Sequence, residues 1–176
     1  MSDALKEEGL ALFRRGKRDE ALLKFQEAAA AYAAAGNAAG QGEMLNNIGV
    51  IRRVQQNWAA AAAAFEEAES IFAASGDDNR RAQVLGNLGD LYAFQGEGEK
   101  AARYYSDGAE LFAQNGDREK QSQLLRALSL LHLRQRHIAE SIYLMEQSLR
   151  VRPHRNLLQR LFHILIRLTM KIMGGQ

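Results

Sequence analysis

Residues 45–76 read LNNIGVIRRVQQNWAAAAAAFEEAESIFAASG, and residues 85–116 read LGNLGDLYAFQGEGEKAARYYSDGAELFAQNG. The two stretches carry small, aromatic and turn residues at matching positions, forty residues apart. The same spacing relates Gly9, Gly49 and Gly89; Ala21, Ala61 and Ala101; Phe25, Phe65 and Tyr105; and Gly36, Gly76 and Gly116. A fixed period of this length is typical of stacked supersecondary units, each of which needs its neighbours to cover its apolar face.

Each unit is predicted to be a pair of antiparallel helices. The chain has one proline and long alanine runs, which favour helix because alanine has the best helix propensity and proline the worst. Gly36, Gly76 and Gly116 can end one helix in the left-handed conformation, and the Asn or Asp that follows each glycine can cap the next helix. The predicted helices span about 3–15, 19–35, 38–55, 58–75, 79–94, 97–114, 118–135 and 138–151, and a ninth spans 154–173.

The small–small–aromatic pattern resembles that of the tetratricopeptide repeat (TPR) family. The resemblance covers about residues 3–151 in four units, 3–36, 37–76, 77–116 and 117–151, followed by a helical segment at 153–173 and a tail at 174–176. It implies an all-α fold, a right-handed superhelix or solenoid. The period of forty exceeds the usual thirty-four, and lengthened repeats of this kind occur in spindle-orientation scaffolds and kinesin light chains. The fourth unit departs from the pattern, with Ser129, Ser141, Met145 and Ser148 at the key positions.

The family resemblance implies a non-enzymatic protein–protein interaction scaffold or adaptor. In TPR arrays the first helix of each unit lines a concave groove that holds a partner peptide or helix. Carried onto this chain, the groove positions are Lys6, Asn46, Asn47, Arg53, Asn87, Asp90, Arg126 and Arg134.

The asparagines and arginines of this set leave alternatives open. Asn47 and Asn87 are equivalent positions of adjacent units, and their amides can pair with an extended peptide backbone or with neighbouring helices and water. The arginines can attract an acidic segment or can pair with neighbours such as Asp90. The chaperone-binding carboxylate clamp of some TPR proteins is not expected: Lys6 and Asn47 match its pattern, whereas Leu10, Gln83 and Asn87 do not.

Composition and charge exclude several classes of function. The net charge of +2 combines −4 over residues 1–149 with +6 over residues 150–176, so no basic face of the kind that binds nucleic acid is expected. The chain has no cysteine, and its four histidines lack metal-ligand spacing. We therefore expect no catalytic residues, no metal site and no cofactor, and a cytoplasmic location.

The C-terminal helix carries a wide apolar face and a basic polar side. Its predicted association residues are Leu158, Leu161, Phe162, Leu165 and Ile166. Such a face left in water would promote association. Three ways of covering it are open: it caps the end of the fourth unit, it joins copies into a homo-oligomeric structural module, or it contacts an anionic membrane surface.

Overall fold

The computed structural model describes residues 1–153 and 157–173, and all regular structure within these ranges is α-helical. In α9 the described side chains are those of residues 159, 161–168 and 171. The helices in chain order are α1 Ser2–Arg14, α2 Arg18–Ala34, α3 Ala38–Val54, α4 Trp58–Ser75, α5 Asp78–Phe94, α6 Gly98–Gln114, α7 Arg118–Arg134, α8 Ile138–Val151 and α9 Leu157–Met173.

The predicted all-α solenoid class is confirmed, and the helix bounds agree with the predicted ones to within one or two residues for α1–α8. The predicted start of the ninth helix, residues 154–156, lies outside the described residues, as does the tail at 174–176. The chain divides into two compact units, Met1–Leu91 and Tyr92–Gln176. The finer division into four repeats stays a prediction.

The helix starts and ends follow from local chemistry. Gly36, Gly76 and Gly116 adopt left-handed φ angles of 67°, 69° and 74°. Four side chains then accept a hydrogen bond from the backbone N–H three residues further on, which satisfies a donor that the first helical turn leaves without a partner. These caps are Asn37 at 2.9 Å, Asn57 at 3.3 Å, Asp77 at 3.0 Å and Asp117 at 3.1 Å.

The turn inside each helix pair also uses a left-handed residue, but glycine occupies this position only in the first and third helix pairs. Gly16 and Gly96 have φ angles of 76° and 79°, whereas Gln56 and Arg136 take the same conformation with φ angles of 60° and 63°. A residue with a Cβ is strained in this region by roughly 1–2 kcal/mol. Two of the four turns therefore hold a residue that the backbone geometry disfavours.

In the first unit, helix pairs approach each other closely at a glycine that faces an aromatic ring. A Cβ added to Gly9 would lie 2.7 Å from the Phe25 ring, and one added to Gly49 would lie 2.5 Å from the Phe65 ring. Both rings are fully buried. At both contacts the glycine leaves the space that the ring of the following helix fills.

A second set of aromatic contacts was missed by the sequence analysis. Tyr32 lies against Gly40 and Phe72 lies against Gly42, where added Cβ atoms would be 2.5 and 2.8 Å from the rings. Tyr32, Phe72 and Phe112 also follow the forty-residue spacing, and all three are buried. Tyr32 packs α2 against the following helix, α3, and Phe72 packs α4 against the preceding helix, α3.

The second unit contains the degenerate repeat. Ser129 takes the place of the helix-packing glycine, and its hydroxyl donates to the backbone carbonyl of Ser141 at 2.8 Å, with the Ser141 hydroxyl 3.2 Å away. Both serines are buried. The departure from the repeat pattern is therefore compensated by a buried hydrogen bond between α7 and α8, since a buried hydroxyl needs a partner.

We expect Gln56→Gly to stabilise the protein by about 0.5–1 kcal/mol, because it removes left-handed strain while adding some entropy to the unfolded chain. Urea unfolding measures the change, and Arg136→Gly should behave in the same way. The matched control is Gly96→Ala, which should destabilise although an added Cβ meets nothing within 4 Å there. A Gln56→Gly protein less stable than the parent would contradict the strain at this turn.

The hydroxyl of buried Tyr32 donates a hydrogen bond to Asp3 Oδ1 and so ties α2 to the first turn of α1. The hydrogen bond to Asp3, together with burial and the Asp3 charge, raises the pKa of Tyr32 to about 12 from 10.0. A raised pKa means that the contribution to stability is complete below pH 10.0 and is lost as pH rises to about 12.

We therefore expect Tyr32→Phe to lower the free energy of unfolding at neutral pH by about 1.5–3 kcal/mol, the value of a hydrogen bond to a charged acceptor. The tyrosinate absorbance of the parent should contain one late titration step that the variant lacks. Asp3→Asn should move that step to lower pH. A Tyr32 that ionises at the ordinary pKa of 10.0 would contradict this assignment.

Candidate peptide-binding groove

A groove of about 420 Å³ lies in the first unit, on the side where α1, α3 and α5 present their side chains. Four helices contribute to its lining. The lining residues are Lys6 from α1, Glu43, Asn46 and Asn47 from α3, Phe72 from α4, and Arg80, Gln83 and Val84 from α5. The walls are mostly charged and amide side chains, so the groove suits a polar ligand more than an apolar one.

Three of the predicted groove residues, Lys6, Asn46 and Asn47, line this groove. Lys6 is already paired within the protein, since its Nζ lies 2.7 Å from Glu43 Oε1. Both side chains are partly exposed, at 24% and 34%. A ligand that enters the groove can therefore reach a cation and an anion side by side, each of which could exchange its partner for a ligand group.

Asn87 bonds across to α3. Its Nδ2 donates to Asn46 Oδ1 at 2.8 Å. The two predicted equivalent residues, Asn47 and Asn87, are thus used differently: Asn47 lines the groove, whereas Asn87 holds α5 to α3 through Asn46. A primary amide has two N–H donors and a carbonyl with two lone pairs, so the Asn46–Asn87 bond uses part of the capacity of each side chain.

Arg53 and Asp90 form an ion pair between α3 and α5. Arg53 Nη1 lies 2.8 Å from Asp90 Oδ2, and the Arg53 side chain is 19% exposed. This geometry corresponds to the expected alternative in which the arginine pairs with Asp90. The charge of Arg53 is thereby balanced inside the first unit, so a ligand carboxylate would have to compete with Asp90 for it.

Several lining residues were not predicted from the sequence, notably Arg80. Its guanidinium donates to Asp77 Oδ2 at 3.0 Å, and its Cζ lies 5.9 Å from the centre of the Phe72 ring. The available signal was the spacing of three between Asp77 and Arg80, which places them together at the start of α5. Gln83 one turn later donates to Asn79 at 3.0 Å and lines the same groove.

Arg126 and Arg134, the remaining predicted groove residues, lie on α7 in the second unit, where both are exposed. An acidic residue of the same helix, Glu119, pairs with Arg152 instead: its Oε1 lies 3.2 Å from Arg152 Nη2. A ligand role for Arg126 and Arg134 stays a prediction.

The predicted association residues of α9 do not share one environment. Leu161, Phe162 and Leu165 are exposed, whereas Ile166 is buried. Leu158 was also predicted, and its side chain lies outside the described residues. Helix α9 contacts α8 through the side that carries Ile166 and His163, while the described leucines stay exposed. How the remaining apolar face is covered stays a prediction. His163 Nε2 lies 3.1 Å from Glu146 Oε1 on α8.

The helices pack in pairs, and a glycine faces an aromatic ring at Gly9–Phe25 and again, forty residues later, at Gly49–Phe65. These features define a helical-repeat protein, a class whose repeats generally mediate protein–protein interaction. The sequence model described as "Tetratricopeptide repeat" matches residues 40–114 and 80–154, more than half of the chain. The chain therefore belongs to the tetratricopeptide repeat family.

Solved structures share the fold. The crystal structure of BtubC (BKLC) from P. vanneervenii matches with a TM-score of 0.77 and 18% sequence identity over 88% of this chain and 68% of that one. At this level of identity the likeness concerns the fold alone. A search of curated proteins gave no significant match. In the part of the chain that the structure describes, no helix is both long enough and apolar enough to cross a bilayer.

We expect a double-mutant cycle on Asn46 and Asn87 to give a coupling energy of about 0.5–1.5 kcal/mol, the net value of one neutral hydrogen bond. Each alanine variant and the double variant are unfolded in urea. Asn47→Ala, one residue away and in the same groove, serves as the control and should leave stability almost unchanged. Additive losses for Asn46→Ala and Asn87→Ala would mean that the bond does not contribute to stability.

Proposed function

We propose that this protein is a non-enzymatic interaction scaffold, and that the groove of its first unit binds an extended polar segment of a partner protein. The observation that carries the proposal is the lining of that groove: Asn46, Asn47 and Gln83 offer amides, and Lys6, Glu43 and Arg80 offer charges, over partly exposed walls. Membership of the tetratricopeptide repeat family supports it, because such domains typically bind protein partners.

The chemistry of the lining favours an extended backbone as the ligand. A peptide backbone presents one donor and one acceptor per residue, and an amide side chain can satisfy both at once. Asn47 and Gln83 lie on α3 and α5, so they could hold the segment from two sides. Lys6 and Arg80 give the lining one more cation than anion, which favours a segment with an acidic side chain.

The internal ion pairs give the groove a means of selection. Lys6 bonds Glu43 and Arg80 bonds Asp77, so a ligand carboxylate gains only what exceeds the pair it replaces. A segment that separates one of these pairs without offering a matching charged or polar group would leave a side-chain charge without its partner. Such a segment would bind less tightly. In this view the groove selects by exchange of partners, and the chain itself carries out no reaction.

A second candidate function is a homo-oligomeric structural module assembled through α9. The exposed side chains of Leu161, Phe162 and Leu165 favour some association of this helix. This candidate differs from the scaffold in one measurable respect: the mass of the full chain in solution would exceed that of a monomer, and polar substitutions at Leu161 and Leu165 would reduce it.

The groove is tested by selecting random linear peptides from a displayed library on the immobilised full chain. Enriched peptides are then titrated against the parent and against Asn47→Ala/Gln83→Ala. Loss of two hydrogen bonds of about 0.5–1.5 kcal/mol each should weaken binding roughly 5-fold or more.

The matched control is Gln26→Ala, on the exposed surface of α2 in the same unit, which should bind like the parent. All variants should unfold at the same urea concentration, so that a loss of affinity is not a loss of structure. Peptides that bind Asn47→Ala/Gln83→Ala as tightly as the parent, or that lose affinity equally for Gln26→Ala, would rule out this groove as the site.

A further inference from the structure

Helix α9 is held to α8 along one narrow side. Ile166 is 7% exposed, and His163, three residues before it, has a side chain only 13% exposed, with its Nε2 3.1 Å from Glu146 Oε1. Residues three apart share one face of a helix. This face fixes the rotation of α9, so the opposite face must point away from the body of the second unit.

The opposite face is a continuous apolar row. It consists of Leu161, Ile164, Leu165 and Leu168, which are 55%, 56%, 59% and 54% exposed. Their spacing of three and four residues places them side by side within about a third of the helix circumference. Single exposed leucines are common on protein surfaces, whereas a contiguous apolar row marks a surface that something else covers.

Basic residues border this row. Arg167 and Lys171 are exposed and share a shallow depression with Ile164 and Leu168. The segment from residue 150 to residue 176 has six basic residues and no acidic one, although residues 1–149 carry a net charge of −4. The exposed apolar row therefore lies within the cationic part of an otherwise mildly acidic chain.

The charge and the size of this face decide between its possible occupants. Two copies joined through α9 would bring Arg167 and Lys171 near those of the partner, with no acid in the helix to balance them. A helix of 17 residues has an outline of only about 25 by 10 Å. A stable protein complex needs roughly 800 Å² from each partner. A bilayer needs no such area of its own, because apolar side chains enter the acyl boundary while neighbouring basic groups stay at the headgroups.

We propose that α9 is an interfacial helix that lays Leu161, Ile164, Leu165 and Leu168 on an anionic phospholipid bilayer, with Arg167 and Lys171 at the level of the lipid phosphates. The contact of His163 with Glu146 and the buried Ile166 keep the outer face directed at the membrane. The helix lies on the surface and does not span the bilayer. This function is independent of the groove in the first unit, so either can fail without the other.

The test is co-sedimentation of the full chain with vesicles of phosphatidylcholine alone or with about 30% phosphatidylglycerol, an anionic lipid. The protein should sediment with the anionic vesicles only, and raising the salt from about 0.05 to 0.5 M should release it, because salt screens the headgroup charge. Arg167→Gln/Lys171→Gln should lower the partition coefficient about 10- to 30-fold, the effect of two basic residues near such a surface. Leu165→Gln/Leu168→Gln should lower it by at least as much.

Two matched controls separate the helix from the rest of the chain. Leu23→Gln/Val54→Gln removes two exposed apolar side chains elsewhere, and Arg14→Gln/Arg103→Gln removes two exposed cations elsewhere. Both control proteins should have partition coefficients within about twofold of the parent's, because the residues that they replace lie outside α9. The two α9 double variants should show a far larger decrease. Circular dichroism confirms that each variant keeps its helix content.

Three results would overturn the proposal. The first is equal binding, or equal lack of binding, to neutral and anionic vesicles. The second is a partition coefficient that the control pairs lower as much as the α9 pairs do. The third is a dimer in light scattering without lipid that Leu165→Gln/Leu168→Gln converts to a monomer, because a second copy would then occupy the face.

Discussion

The close approach of a glycine in one helix to an aromatic ring in the next is the constraint on which the first unit depends. At Gly9 and Gly49 a single added Cβ would overlap the rings of Phe25 and Phe65. Because packed interiors leave no room for an added methyl without a shift of helices, these pairs fix the separation and rotation of each helix pair. That rotation in turn decides which side chains of α1, α3 and α5 are left facing the groove. The shape of the groove is thus a consequence of how the same helices pack together.

The groove that results is a set of side chains which already satisfy one another. Lys6 is paired with Glu43, Asn87 with Asn46, and Arg53 with Asp90. Such a surface is preorganised, since its rotamers are held before a ligand arrives, and this lowers the entropy cost of binding. If the groove binds a partner segment as proposed, binding is an exchange reaction in which the ligand replaces internal partners. The low net gain and the high penalty for mismatched groups then let the groove select one partner and still release it.

The sequence was sufficient for what is local or repeated, and insufficient for what depends on the rotation of one helix against another. Helix bounds were predicted to within one or two residues because glycines and Asn or Asp caps act within a single turn. The repeat marked Gly49 and Phe65 as recurring positions, but the contact between them is seen only in the structure. The repeat also made Asn47 and Asn87 equivalent, yet Asn87 bonds Asn46, at a separation of 41 residues. A one-residue offset of this kind changes which amide faces the groove, and no pattern of residue types determines it.

Helix α9 shows the same limit in its clearest form. Its apolar residues predicted a face that something covers, with the end of the fourth repeat, a second copy or a membrane surface as the alternatives. The side that meets α8 carries Ile166 and His163, and His163 Nε2 lies within hydrogen-bond distance of Glu146 Oε1. Glu146 Oε1 lies 3.1 Å from His163 Nε2 and both side chains are largely buried, whereas Leu161, Ile164, Leu165 and Leu168 stay exposed. Which side of α9 faces α8 depends on such tertiary contacts, and the apolar pattern of the helix alone does not determine it. The exposed leucine row is bordered by cations, and its helix contains no acidic residue. The proposed anionic bilayer matches this face, because its acyl region accepts the leucines and its headgroups accept the cations.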